Sequence, residues 1–336
     1  MKLPKLDVDY GELYQMIYSP IKSKLLLTGI ELKIFNYLSK PISAEAVAKN
    51  IKAHPNNMRL FLNGLTAIDL IQKKDGLYQN TPVTQNFLVD NSLTYVGQML
   101  TFMARADAPL ENLTKLVKEG PPPRQAELSI SDEMFAQSAA MMVNTELAGD
   151  AQMAVKIVSN LPEFPSFKKM LDLGGGPGII GMAIVNEHPD MRGVIFDLPS
   201  VVEVAKSYIR EYQMDDRVEV LGGDFNKDPI GAGYDLVFSS NSLQFAHNIR
   251  SVVEKIFDSL NKGGVFVSLF SFGQSNERTK PEILILGLLS SALMGQELEL
   301  ERGNISESIS QAGFKSVNSQ ILNTSWGPME LDIGRK

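Results

Sequence analysis

A glycine-rich loop directly after a short apolar segment constrains the fold of this chain more than any other feature. Residues 171–178 read Leu-Asp-Leu-Gly-Gly-Gly-Pro-Gly. Glycines between a strand and a helix let the backbone approach a ligand where side chains would collide. The loop therefore predicts a ligand-binding α/β sheet whose first strand ends at residue 173.

The pattern after residue 169 alternates between segments of strand length and segments with helical spacing. The predicted strands are 170–173, 193–198, 218–221, 234–239 and 264–270, and the predicted helices are 179–186, 201–212 and 249–260. Such alternation is typical of a doubly wound, Rossmann-like parallel sheet. Residues 316–333 predict two further strands, one of them antiparallel.

A different pattern fills the first third of the chain. Helical spacing over 14–38, with breaks predicted at Pro20 and Gly29, is followed by two short helices at 46–51 and 58–68. An Asp-Gly pair at 75–76 between two short apolar runs predicts a two-residue hairpin. Helix, turn, helix and hairpin in this order predict a winged helix.

Two longer helical patterns, 93–117 and 131–159, connect these regions. Between them lie three consecutive prolines, which cannot continue a helix. A chain of 336 residues is long enough for two domains with their own cores. We therefore predict a winged-helix domain over 1–117, a helical connector over 118–160 and the α/β domain over 161–336.

Composition narrows the classes of function. The chain has no cysteine and three histidines far apart in sequence, so we predict no disulfide and no metal site. No signal-peptide pattern opens the sequence, and the longest apolar run, 283–294, is shorter than the roughly 20 residues of a membrane span. We therefore predict a cytoplasmic enzyme with no membrane partner, and a buried helix over 283–294.

A winged helix can bind DNA through its second helix. The segment 58–68 offers only Arg59 and Asn63 for contacts with bases and phosphates, and the net charge of the chain is −7. We therefore predict no nucleic-acid partner and interpret the winged helix as a scaffold or dimerisation module.

The glycine loop fits two kinds of ligand. Residues 176–181 match the G-x-G-x-x-G pattern of dinucleotide-binding loops, whose amides receive a pyrophosphate. The second interpretation places Asp172 before Gly174, Gly176 and Gly178. S-adenosylmethionine carries an ammonium, a carboxylate and a sulfonium but no phosphate, so an acid at this point favours S-adenosylmethionine as the cofactor.

Three further strand ends carry groups that suit this cofactor. Asp197 ends the second predicted strand, where a carboxylate can hold ribose hydroxyls. Asp224 and Phe225 follow the third strand and offer a hydrogen-bond acceptor and a stacking ring for adenine, and Ser239 lies at the polar end of the fourth. Since open α/β sheets bind ligands at the carboxyl ends of their strands, these residues predict one site.

Several motifs together resemble one known family. They are the loop at 171–178, Phe-Asp-Leu-Pro at 196–199, Gly-Asp-Phe at 223–225 and Ala-Gly-Phe at 312–314, in this order behind a winged helix. The chain is similar to the caffeic acid and hydroxyindole O-methyltransferases, a family of class I S-adenosylmethionine-dependent methyltransferases.

The resemblance implies a Rossmann-like methyltransferase domain preceded by an α-helical dimerisation domain. It also implies a homodimer formed through the N-terminal domain, and O-methylation of a small aromatic or acidic metabolite. The cofactor contacts that it implies are Gly174, Asp197, Asp224, Phe225 and Ser239.

One position departs from the family pattern. The family has a histidine after the fourth strand that takes the proton of the acceptor hydroxyl, and Gln244 stands at that position. Glutamine cannot act as a base, and His247, three residues later, is a possible substitute. Without a base, the acceptor is already ionised at neutral pH, or the reaction differs from that of the family. Alternatively, the protein binds the cofactor in a regulatory role. A NAD-dependent oxidoreductase ranks last because no residues for hydride transfer are recognisable.

The acceptor pocket is predicted to be built by the connecting helices and the later part of the chain. Its candidate residues are Phe102, Phe135, Met142 and Met294. The sequence does not give the directions of their side chains, so it leaves the identity of the acceptor open.

Overall fold

The contacts of the chain divide it into two units, Met1–Ala104 and Arg105–Lys336. The computed structural model describes residues 7–106, 108–122, 132–271, 289–290, 293–294 and 301–336. The domain boundaries predicted after residues 117 and 160 stay predictions. The helix predicted over 283–294 lies outside the described residues, except for 289–290 and 293–294.

The first unit has the winged-helix order of elements that the sequence predicts. Its elements are α1 (Gly11–Glu31), α2 (Ala44–Ile51), α3 (Pro55–Ala67), β1 (Ile71–Lys74), β2 (Leu77–Asn80), α4 (Pro82–Phe87) and the start of α5 (Gly97–Ala106). Asp75 and Gly76 join the two antiparallel strands with φ angles of 49° and 79°. A type I′ hairpin turn requires positive φ at both central residues, and an Asp-Gly pair adopts it readily.

Side-chain caps begin the two central helices of this unit. Ser43 Oγ accepts a hydrogen bond from the amide of Ala46 at 3.2 Å, and His54 Nδ1 accepts one from the amide of Asn57 at 3.4 Å. Each bond satisfies an amide that has no partner inside its helix. The breaks predicted at Pro20 and Gly29 are wrong, because α1 continues through both residues. Proline keeps a helical φ, so a helix can continue past it with the loss of a hydrogen bond.

The second unit begins with three helices, after which strands and helices alternate. Its elements are α6 (Leu113–Glu119), α7 (Asp132–Thr145), α8 (Ala151–Ser159), β3 (Lys169–Leu173), α9 (Ile179–Glu187), β4 (Arg192–Asp197), α10 (Pro199–Glu211), β5 (Val218–Gly222), β6 (Tyr234–Ser240), α11 (Ile249–Ser259), β7 (Leu260–Phe270), α12 (Asn304–Gln311), β8 (Ser316–Thr324) and β9 (Gly327–Arg335). The strands and helices predicted after residue 169 are present, with ends that differ by a few residues.

The strand order of the large sheet creates a crevice at its centre. The order is β5-β4-β3-β6-β7-β9-β8. Strands β3 to β7 are parallel, and β9 is antiparallel to both of its neighbours, as predicted for the tail. The first strand of this sheet in chain order is β3. Strands β4 and β5 lie on one side of β3, and β6 lies on its opposite side. The carboxyl ends of β3 and β6 therefore border a topological switch point, where doubly wound sheets bind ligands.

Apolar side chains cover both faces of this sheet. One core includes Val158 of α8, Ile184 of α9 and Ile209 of α10, and the other includes Ile256 of α11 and Ile309 of α12. Coverage on both faces explains the nearly continuous apolar sequence of the central strands. Within the described ranges, no helix combines the length and the apolar character needed to cross a membrane.

Candidate functional site

The loop between β3 and α9 folds back sharply at the centre of the sheet edge. Gly174, Gly176 and Gly178 have φ angles of 68°, 54° and 80°, in the left-handed region that favours glycine. The amides of Gly174 and Gly175 donate to the carbonyl of Phe196 at 2.8 and 3.2 Å, which ties the loop to β4. The sequence of the loop is therefore required by its backbone conformation.

Close neighbours leave no room for side chains on most of this loop. A Cβ atom on Gly174 would lie 2.3 Å from the Cβ of Ser242, and one on Gly178 would lie 2.3 Å from Cδ1 of Ile195. At Gly176, among the residues that the structure describes, the added atom would meet only a carboxylate oxygen 4.0 Å away. The loop is thus packed from behind and open at Gly176, where a ligand can approach the backbone.

Asp172 lies beneath the loop in the interior of the protein. Its side chain is 2% exposed, and its Oδ2 has no hydrogen-bond partner among the described residues. Burial is the main cause that raises the pKa of Asp172 to about 7; the amide of Gly181 opposes the shift and the charge of Asp197 adds to it. Near neutral pH this carboxyl is therefore poised between its two protonation states.

Asp197 ends the neighbouring strand with both carboxylate oxygens held by backbone amides. Oδ2 accepts from the amide of Gly176 and Oδ1 from the amide of Leu198, each at 2.8 Å. Burial raises the pKa of Asp197, and these two amides oppose the shift. The bond to Gly176 joins the second predicted acid directly to the glycine loop.

Asp224 and Phe225 follow β5, the strand next to β4. The amide and the side chain of Asn226 donate to Asp224 at 2.9 and 3.0 Å, and Lys227 forms an ion pair with it at 2.9 Å. Burial raises the pKa of Asp224, but Lys227 and Asn226 outweigh it, so the pKa lies below its ordinary value. Asp224 is therefore ionised at neutral pH, while the half-buried Phe225 packs against the second core.

Ser239 and Ser242 support the loop from the side of β6. The hydroxyl of Ser242 donates to the carbonyl of Leu173 at 2.8 Å, so the 2.7 Å contact between the two hydroxyls has Ser239 as its donor. Ser239 is buried and directed into the protein. A direct contact between Ser239 and the cofactor stays a prediction.

The segment after β6 places Gln244 beside an aromatic pair. Gln244 is half-buried in a short 3₁₀ turn, and its side chain has no hydrogen-bond partner among the described residues. The ring of Phe245 meets that of Phe135 edge to face, with centroids 5.4 Å apart. His247 is exposed, and its backbone amide donates to Asn226 at 2.8 Å.

No contact with the glycine loop is described for the remaining predicted pocket residues. Met142 is half-buried in α7, in the same unit as the loop. Phe102 belongs to the first unit and is 50% exposed. Met294 is half-buried, and most of the residues near it in sequence lie outside the described part of the chain. Roles for these three residues stay predictions.

Glu146 belongs to this site and was missed by the sequence reasoning. It begins a five-residue π-helical segment, Glu146–Asp150, between α7 and α8, and its carboxylate oxygen is the one that faces Gly176. Burial raises the pKa of Glu146 well above its ordinary value, and the charges of Asp172, Asp150 and Asp197 add to the shift. The sequence does contain one signal for Glu146, because this acid lies in a stretch of small and apolar residues. A helical pattern alone, however, does not show whether such an acid is buried or lies on the surface.

The residues of the site fit a cationic ligand better than a phosphate. Buried carboxyl oxygens of Glu146 and Asp172 lack donors, and the open glycine cradle lies beside them. A pyrophosphate placed here would meet like charge in a poorly solvated environment, whereas a cation would satisfy these oxygens. This chemistry agrees with S-adenosylmethionine and disagrees with NAD. Among the described residues, no group of three or more acids and histidines has the geometry to hold a metal ion.

Family models match both parts of the chain. A model of an O-methyltransferase domain matches residues 128–315, more than half of the chain, and a model of an O-methyltransferase dimerisation domain matches residues 14–90.

Individual proteins are similar along nearly the whole chain. The tetracenomycin polyketide synthesis 8-O-methyl transferase TcmO of Streptomyces glaucescens is 24% identical, with 97% of this chain and 96% of that protein covered. The N,N-dimethyltransferase OxyT of Streptomyces rimosus is 26% identical, with 94% and 93% covered. The solved structure of human N-acetylserotonin methyltransferase in complex with SAM matches with a TM-score of 0.77, 22% identity and 99% of each chain covered. At this identity the structural likeness establishes a shared fold.

We expect Gly174→Ala to weaken S-adenosylmethionine binding at least about tenfold, because a left-handed backbone costs a non-glycine residue about 1–2 kcal/mol and the new methyl group would collide with Ser242. Gly263→Ala is the matched control, since Gly263 has a φ of 81° and open space around it. It carries the conformational cost without the collision and should keep its affinity in isothermal titration calorimetry. Equal affinities for both variants would contradict the packing argument.

The raised pKa of Asp172 predicts a pH dependence of stability in the ligand-free protein. A folded-state pKa of about 7 against an ordinary value of 3.8 means that the folded state binds this proton more tightly. The stability contributed by Asp172 is therefore fully present below about pH 4 and is lost as the pH rises towards 7. Asp172→Asn should flatten the fall of the thermal midpoint between pH 5 and 7, while Asp215→Asn at an exposed position should not. An unchanged slope in Asp172→Asn would contradict the assignment.

Proposed function

The chain belongs to the O-methyltransferase family, and from this premise we propose that it methylates an oxygen of a small aromatic or acidic acceptor. It is an S-adenosylmethionine-dependent methyltransferase. The observation that carries the proposal is the cradle at the sheet edge, where an open glycine backbone lies beside buried carboxyl oxygens that lack donors. Such a cradle suits a cationic cofactor without phosphates.

Each strand end has a distinct part in binding. When bound, S-adenosylmethionine supplies an electrophilic methyl group on a sulfonium. Asp197, fixed by two amides, offers a carboxylate to the ribose hydroxyls, and Asp224 with Phe225 offers an acceptor and a ring to the adenine. Ser242 keeps Gly174 in place by its contact with the loop. The main contribution of these residues is to orient the cofactor, because holding the reactants in place removes much of the entropic part of the activation barrier.

The segment after β6 carries an aromatic contact and has no histidine at the usual position of the base. Phe135 and Phe245 form an edge-to-face pair next to Gln244. The amide of Gln244 can donate to an acceptor oxygen but cannot take its proton. We therefore assign to this protein an acceptor that loses its proton before it binds, such as a phenol of low pKa or a carboxylate.

This assignment predicts how turnover depends on the acceptor. Across a panel of phenols at fixed pH, kcat/KM should follow the fraction of acceptor that is ionised. Gln244→His should raise the turnover of weakly acidic phenols by up to about 10²-fold, the lower end of what a general base contributes. His247→Ala should change turnover by less than about threefold, because His247 is exposed.

Methyl-transfer assays with a radiolabelled cofactor measure these rates, with amines in the same panel. A loss of about 10²-fold or more in His247→Ala would assign the base to His247 and contradict the proposal. Preferential methylation of the amines would contradict the proposal that the methyl group is transferred to oxygen. The amines are included because the chain is similar to an N,N-dimethyltransferase.

The first unit supports a homodimer as the assembled form. Leu13, Tyr14, Ile17, Tyr18 and Ile21 of α1 are all exposed and recur at helical spacing on one stripe. Exposed apolar stripes of this kind mark interaction surfaces, and the dimerisation-domain match begins at residue 14. We propose that two copies pair through this helix.

A double variant, Ile17→Lys with Ile21→Lys, should convert the dimer into monomers, because it places two charges in the apolar stripe. Analytical ultracentrifugation measures the change in mass. Ile321→Lys, at an exposed apolar position of β8, is the control and should stay dimeric. A double variant that remains dimeric would place the interface elsewhere.

The other interpretations from the sequence have less support. Nothing in the comparisons favours a regulatory protein without turnover. Arg59 donates to Asn56, and Asn63 accepts from Lys73 and Tyr78, so both candidate DNA contacts are engaged within the chain. The exclusion of nucleic acid and of a membrane partner, the exclusion of a metal, and the cytoplasmic location stay predictions.

A further inference from the structure

We propose that the carboxylate of Glu146 binds the ammonium group on the methionine portion of S-adenosylmethionine; this inference rests on the proposed function. Glu146 lies outside the motifs that suggested the cofactor site. Its assignment follows from its place, its missing hydrogen-bond partner and the charges around it.

The backbone directs Glu146 at the open side of the glycine loop. The residue begins the π-helical segment between α7 and α8, and such segments occur frequently at functional sites. Its side chain is only 6% exposed. One carboxylate oxygen, Oε1, lies 4.0 Å from the place that a Cβ on Gly176 would occupy, and no other heavy atom of the described residues is as near. Glu146 therefore borders the part of the loop that a ligand can reach.

Burial raises the pKa of Glu146 and a hydrogen bond from the backbone of Ile180 opposes the shift, but one carboxyl oxygen is left without a donor among the described residues. This oxygen is Oε2, and it is buried. The other acids near it are better provided for, since Asp150 accepts from the indole of Trp326 at 3.0 and 3.2 Å and Asp197 accepts from two amides. A buried carboxyl oxygen without a donor is costly, so a donor from a ligand would stabilise the site substantially.

The surrounding charges select a cation as that donor. The charges of Asp172, Asp150 and Asp197 all disfavour the ionised form of Glu146. Asp172 has an unpaired oxygen too, but it lies behind the loop, against Gly175 and Gly181. Glu146 is therefore the acid that has one oxygen, Oε1, at the open side of the loop and a second oxygen, Oε2, without a partner among the described residues.

The two cations of the cofactor differ in what they can offer. An ammonium has three N–H donors and can satisfy a carboxylate oxygen, whereas a sulfonium has none. Ribose hydroxyls are donors without charge, and Asp197 is already placed for them. The missing donor and the acidic surroundings together therefore identify the ammonium.

Isothermal titration calorimetry on Glu146→Gln tests the assignment with three ligands. S-adenosylmethionine and S-adenosylhomocysteine share the ammonium, and 5′-methylthioadenosine lacks the whole amino-acid portion. The variant should bind the first two about 10- to 100-fold more weakly, as expected for one charge-assisted hydrogen bond. It should bind 5′-methylthioadenosine as the parent does. Glu187→Gln, at an exposed position on the same unit, is the matched control and should leave all three affinities unchanged.

A stability measurement separates a ligand contact from a structural role. Ligand-free Glu146→Gln should unfold at the same temperature as the parent or higher, because it replaces a buried acid whose ionised form is disfavoured by burial and by three nearby acids with a neutral side chain of similar size. Loss of affinity for all three ligands together with a lower midpoint would show a structural role and overturn the assignment. A loss confined to S-adenosylmethionine would point to the sulfonium and overturn it as well.

The inference and the proposed function can fail separately. If the parent binds the cofactor but methylates no acceptor in the panel, the proposed function fails and the place of Glu146 stands. If Glu146→Gln binds S-adenosylmethionine as tightly as the parent, the assignment of Glu146 fails and the proposed function stands.

Discussion

The backbone of the loop between β3 and α9 lies against its neighbours so closely that side chains are excluded from it. Gly174 is pressed against Ser242 and Gly178 against Ile195, while Asp172 fills the space below. This packing sets the start of α9 and joins the loop to β4 through the carbonyl of Phe196. Hydrogen bonds and close contacts thus join the loop to the end of β4 and to the segment that follows β6.

The same packing explains why the site is acidic and incompletely bonded. Burial raises the pKa of Asp172, Asp197 and Glu146, since each carboxyl is removed from water near the others. Such an arrangement destabilises the ligand-free protein and favours a ligand that brings positive charge and N–H donors. The acids of this site lower the stability of the ligand-free fold and strengthen the binding of a cation, as is common at functional sites.

Local rules predicted a large part of the fold correctly. The Asp-Gly pair at 75–76 gave the hairpin because few other pairs adopt two positive φ angles, and the apolar strand segments gave the central sheet because they are buried on both faces. The break predicted at Pro20 is wrong, because a single proline removes a hydrogen bond but leaves the helical φ intact. Ser239 was correctly placed at a strand end, yet its hydroxyl is directed to Ser242, a partner that no local pattern identifies.

The sequence by itself determined the order of the elements, the glycine loop and three of the acids at the strand ends, because these features depend on residues close together in the chain. The resemblance to a known family followed from the same motifs. The tertiary structure decided which groups share the cradle of the glycine loop. Glu146 lies thirty residues before Gly176 and comes near it because α8 and the segment Glu146–Asp150 pack against α9. The loop that first indicated a nucleotide-like ligand therefore gains its preference for a cation from an acid that only the packed fold brings to it.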